Sequence, residues 1–70
     1  MNNIQYYPTN HDANDQELTQ RIQQYLNESF TLSKNLNRYT VVTFNNNITL
    51  ETLKSLDMAF MTLGYIRYNE

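Results

Sequence analysis

The sequence predicts an α+β fold, a small two-layer domain in which a short three-stranded sheet carries two helices in the order β-α-β-α-β. Three observations predict it. Two stretches repeat apolar residues at helical spacing, each behind a residue suited to an N-cap, Asn14 and Thr49. Between them lies a run rich in β-branched and aromatic residues, Arg38 to Phe44. The single glycine, Gly64, follows the second helical stretch and precedes a short apolar run, Tyr65 to Tyr68.

The first strand is the weakest element. Ile4 to Tyr7 alternates, with Ile4 and Tyr6 on one face and Gln5 and Tyr7 on the other, and Pro8 ends the run. Thr9 to Ala13 is a polar loop. Residues 1–13 therefore read either as a flexible arm or as an edge strand of a single domain spanning residues 1–70.

The first helix is expected from residue 15 to about residue 31. Glu17 stands three residues after Asn14, in capping-box spacing, and Asp15 and Glu17 put negative charge in the first turn, where the helix dipole favours it. Leu18, Ile22, Tyr25, Leu26, Ser29 and Phe30 then keep helical spacing. Leu32 and Leu36 extend the pattern by a ragged turn, and Asn35 and Asn37 favour a break.

Arg38 to Phe44 follows as a strand with two fairly apolar faces, which suits a central position. Asn45 to Asn47 turns the chain. Ile48, before the Thr49 cap, and Leu53 are spaced as a hydrophobic staple for a second helix running to about Leu63. Gly64 sits where a left-handed C-cap needs a residue without a Cβ, and Phe60 and Tyr65 occupy positions that touch across such a cap. If Arg38–Phe44 and Tyr65–Tyr68 share a sheet, the crossover helix between them makes them parallel.

Composition narrows what such a domain does. A core built from 70 residues supplies only about 3–5 kcal/mol without a staple. There is no cysteine, which excludes disulfides and thiolate zinc sites. His11 is the single histidine, so a histidine-built metal site would need a symmetric interface. Oligomerisation or partner binding remains as reinforcement. The net charge of −2, with 17% charged residues, lacks the cationic cluster that duplex DNA requires. No apolar run reaches the length of a membrane span or a signal peptide, and a cytoplasmic location is the default expectation. The chain has 11 asparagines and 8 threonines against one glycine and one proline. That is the bias of an AT-rich genome, as in phages and mobile elements of low-GC bacteria.

Catalytic machinery is not legible. His11, in a polar loop, is the only ordinary base. Asp12, Asn14, Asp15 and Glu17 cluster oxygen ligands, but they lack the glycine and terminal glutamate of a calcium loop, and helix capping accounts for three of them. One glycine cannot build a phosphate loop. Glu51 and Lys54 read as a solvated i,i+3 pair. The expectation is a protein that is not an enzyme and takes no metal or other cofactor.

Interaction residues are more visible. At 100° per residue, Leu53, Leu56, Ala59, Phe60 and Leu63 occupy one arc of about 120° on the second helix, enough to cover a small sheet. Leu50, Met58 and Met61 fall on a second arc with Lys54 and Asp57. Either the first helix packs over this second arc, or it is a binding patch of the adaptable kind methionine favours. The last run is short, mostly apolar and near the chain end, so Tyr65, Arg67 and Tyr68 form an edge open to pairing. Leu50, Met58, Met61, Tyr65, Arg67 and Tyr68 are the expected partner-binding residues. The expected function is a non-enzymatic interaction module, a small regulator or inhibitor that binds another protein and forms a symmetric homodimer. The alternative is a regulator associated with single-stranded nucleic acid, stacking bases on a sheet face that carries Arg38, Tyr39, Arg67 and Tyr68. The lack of a positive patch ranks nucleic acid second.

Overall fold

Both helices begin where their cap residues predict. In the computed structural model, which describes residues 1–69, Asn14 is extended and its side chain accepts the backbone N–H of Glu17 at 2.8 Å. Thr49 does the same for the N–H of Thr52 at 3.1 Å. The elements are β1 (Asn3–Pro8), α1 (Asp15–Gln23), β2 (Phe30–Lys34), β3 (Thr40–Phe44), α2 (Leu50–Met61) and β4 (Tyr65–Arg67).

The domain is a two-layer α+β fold, with four strands in its sheet where the sequence pattern suggested three. The strand order is β2-β3-β1-β4, and every neighbouring pair is antiparallel. β3 and β4 both oppose β1, so they run in the same direction, as a crossover through α2 requires, but β1 is inserted between them. β1 and β2 flank β3 in the same way. The chain is thus two interlocked split β-α-β units.

Two expectations are corrected here. α1 does not continue to residue 31. It ends at Gln23, and Phe30–Lys34 leaves as the added strand β2. Helical spacing across Ile22, Leu26 and Phe30 hid a period-two pattern, in which Phe30 and Leu32 alternate with Thr31 and Ser33. Pairing of Phe30 with Phe44 and Leu32 with Val42 wins over continued helix, because it completes the apolar face of the sheet. The second correction concerns residues 1–13, which are neither a flexible arm nor an edge strand. β1 is central, Ile4 and Tyr6 are buried, and the following loop is tied down by Thr9, whose backbone N–H and hydroxyl both donate to the Gly64 carbonyl.

Smaller differences follow from local geometry. β3 starts at Thr40 rather than Arg38, because Arg38 closes the β2–β3 turn with φ of 65°. α2 ends at Met61, and Thr62 and Leu63 form the turn that leads to Gly64. Gly64 has φ of 80°, the left-handed cap that its position predicts. A Cβ there would lie 3.6 Å from Thr9 Oγ1, an ordinary contact, so the demand for glycine is one of backbone conformation.

One face of the sheet is covered. Ile4, Tyr6, Val42, Phe44 and Tyr65 point to the helices and pack with Leu18, Ile22, Leu53, Leu56, Ala59 and Phe60. Phe60 stacks on Tyr6, with ring centroids 3.9 Å apart and planes 3° from parallel, and meets Tyr65 edge-on at 5.3 Å. Aromatic pairs of this kind add to the stabilisation that burial alone gives. Phe60→Ala should therefore cost about 3–5 kcal/mol, nearly the whole stability of a domain this small. Equilibrium urea unfolding checks it, and a midpoint matching the parent would show that the ring is not part of the core.

Candidate interaction surfaces

The outer arc of α2 is uncovered. Leu50, Met58 and Met61 are 68%, 57% and 69% exposed. With Lys54 they span about 80° of the helix circumference at 100° per residue. α1 packs against α2 from the side, where Arg21 reaches Thr62, and does not cover this arc. Asp57 borders the arc and faces the sheet. It accepts a hydrogen bond from the Tyr6 hydroxyl at 2.5 Å and an ion pair from Arg67 Nε at 3.3 Å. Burial, and then the bond to the Asp57 carboxylate, hold the Tyr6 hydroxyl far above the ordinary tyrosine range, so it remains a donor.

The other expected partner-binding residues do not join this arc. Tyr65 is buried, with its ring against Phe60. Its hydroxyl accepts the Ala13 backbone N–H at 3.0 Å and donates to Asp12 Oδ1 at 3.1 Å. Burial is the main cause that raises its pKa. Tyr65 is therefore a core residue and offers no side chain to a partner. Arg67 is committed to Asp57 on the helix side of the sheet. Tyr68 lies on the opposite, open face, 38% exposed, beside Ile66 at 47%.

That open face carries a tyrosine row. Tyr7 and Tyr39 have ring centroids 5.4 Å apart, and Tyr39 and Tyr68 are separated by 5.2 Å. The row results from register: Tyr7 pairs with Ile66 across β1–β4, and Tyr39 extends the β1–β3 ladder one step beyond the Tyr6–Thr40 pair. Tyr39 and Tyr68 thus meet as the nucleic-acid alternative expects, but the two arginines do not join them. Arg67 points to the other side, and Arg38 stands in the exposed β2–β3 turn beside Asn37. Tyr7 is the member that sequence reasoning missed. Its signal was the alternation of Ile4–Tyr7, which sets Tyr7 opposite the core face once β1 is central.

His11 is exposed in the loop before α1. Asp12 forms an ion pair with Lys34 at 3.2 Å, and the bonds from Lys34 and Tyr65 lower its pKa. Glu51 and Lys54 are both exposed, and the ion pairs among the described residues are Lys34–Asp12 and Arg67–Asp57. No group of three or more histidine, cysteine, aspartate or glutamate side chains among the described residues is placed to hold a metal. No helix among them is long and apolar enough to cross a membrane.

No protein-family model, no curated protein and no solved structure matches the chain.

Proposed function

We propose that the protein is a small non-enzymatic interaction module, a regulator or inhibitor, that binds another protein through the outer arc of α2. The observation that carries this reading is the exposure of Leu50, Met58 and Met61 on a helix whose other arc already covers the sheet. Large apolar side chains grouped on one exposed arc, with Lys54 among them and a charged rim at Glu51 and Asp57, have the anatomy of a binding patch. Methionine lets such a patch adapt to its partner. The same arc serves twofold self-association, which reinforces a core of this size. Light scattering at micromolar concentration should then give the mass of two chains for the parent and of one chain for Met58→Glu/Met61→Glu. A parent with the mass of one chain removes the homodimer and leaves the arc to a foreign partner. A variant that still dimerises, and still captures whatever partner the parent captures, removes the arc from the account.

A second reading rests on the row Tyr7, Tyr39 and Tyr68. Aromatics on an open sheet face stack unpaired bases, and here Tyr68 is exposed while Tyr7 and Tyr39 are half-buried. The cation supply favours the first reading, since the described residues place no cluster of lysine and arginine beside the row, with Arg67 held by Asp57, and phosphate neutralisation needs several. Titration with a single-stranded oligonucleotide at two salt concentrations separates the readings. The interaction-module account expects no binding at physiological salt, and saturable, salt-dependent binding lost in Tyr39→Ala would replace it with the second.

A further inference from the structure

A trough of about 700 Å³ runs between α1 and β2. Asp15, Thr19 and Gln23 form one wall, and their i, i+4, i+8 spacing places them on a single helix face. Phe30 and Leu32 form the other wall, and both are only partly buried although they point to the helix layer. α1 stops short of covering β2, so the apolar face of this strand is left half open.

β2 is also an unpaired edge. It is the outermost strand of the sheet. Asn35 N–H donates to the Tyr39 carbonyl at 3.1 Å, while Phe44 N–H donates the other way, to Asn2 on the β1 side, at 2.9 Å. Alternation along an antiparallel ladder then directs the backbone groups of Thr31 and Ser33 to β3. Those of Phe30, Leu32 and Lys34 point off the edge. Natural edges are commonly blunted by proline, a bulge or an exposed lysine. β2 has no proline, and its lysine is folded back, with Lys34 Nζ on Asp12 Oδ1 at 3.2 Å and on Thr40 Oγ1 at 3.0 Å.

The charge of the trough indicates what it would accept. Among the described residues its lining includes two carboxylates, Asp15 and Glu28, and no lysine or arginine. α1 runs back against the direction of β1 and β2, which sets Asp15 toward the Lys34 end of β2, while Glu28 precedes Phe30 at the other end. We propose that β2 docks an extended segment of a partner protein by strand addition. The segment presents a basic, an apolar and a basic side chain at alternate positions. Its backbone takes up the free groups of Phe30, Leu32 and Lys34, its apolar residue lies on Phe30 and Leu32, and its two cations meet Glu28 and Asp15, while the Lys34 ammonium at the Asp15 end is already paired with Asp12. The outer arc of α2 does not line this trough, so the fate of this proposal is separate from that of the arc.

The test uses the full chain and two blocked heptapeptides, Thr-Lys-Thr-Val-Thr-Lys-Thr and the same sequence with glutamate for both lysines. Backbone amide NMR follows the titration, and amide exchange follows protection. The lysine peptide should shift the amides of Phe30, Leu32 and Lys34, slow their exchange, and bind about threefold to tenfold more weakly to Glu28→Lys. Asp15→Asn, a milder change, should weaken it in the same direction and keeps the test valid if Glu28→Lys loses its parent-like circular dichroism. Shifts confined to another surface, or equal binding of the glutamate peptide, would overturn the proposal. So would concentration-dependent protection of the β2 edge without peptide, which would give the edge to a second copy of this chain.

Discussion

The ring of Phe60 lies flat on Tyr6 and edge-on to Tyr65, and this contact sets the rotation of α2 about its own axis. One turn earlier Asp57 takes the Tyr6 hydroxyl and the Arg67 guanidinium. α2 is thereby fixed at two points to the central strand β1 and to the edge strand β4. With that rotation fixed, Leu53, Leu56 and Ala59 must face the sheet, and Leu50, Met58 and Met61 must face away. The exposed arc is a consequence of the core and not a loose end of it. The cost is a buried polar group, since the Tyr6 hydroxyl must keep its acceptor inside the domain. Asp57 meets this from the border of the arc, and no described side-chain nitrogen or oxygen is buried without a partner.

Local chemistry made much of the fold legible. Asn14 and Thr49 mark helix starts by a capping bond that needs no tertiary contact. Gly64 marks a left-handed turn that penalises other residues. Val41 to Phe44 has few conformational options besides a strand. β2 was hidden for a physical reason: Phe30 ends the helical series Ile22, Leu26, Phe30 and also begins a strand alternation with Leu32, and the decision comes from Phe44 and Val42, on a strand ten or more residues further along the chain. β1 was underrated for a related reason. Four alternating residues before a proline look marginal alone, and only pairing on both sides makes Ile4 and Tyr6 core residues.

The surfaces show the same division. The α2 arc follows from helical spacing alone, so Leu50, Met58 and Met61 could be named from the sequence. Strand surfaces depend on register, and there the reading was uneven. Tyr39 and Tyr68 share a face, but Arg67 belongs to the other face because it lies one residue from Tyr68 in a period of two. Tyr65, named as a contact residue, is buried because that same period directs it to Phe60. The trough beside β2 had no sequence signature, since it exists only where α1 stops and a strand replaces its expected last turns.

The central claim is that α2 divides its apolar residues between a folding arc and a spare arc. Equilibrium unfolding of Leu50→Gln/Met58→Gln/Met61→Gln, at a concentration dilute enough to keep the chain monomeric, tests it most directly. The account predicts a free energy of unfolding within about 0.5 kcal/mol of the parent, as for surface substitutions. A loss of about 2 kcal/mol or more, the range of core truncations, would mean that the three side chains are packed and that the arc is part of the core.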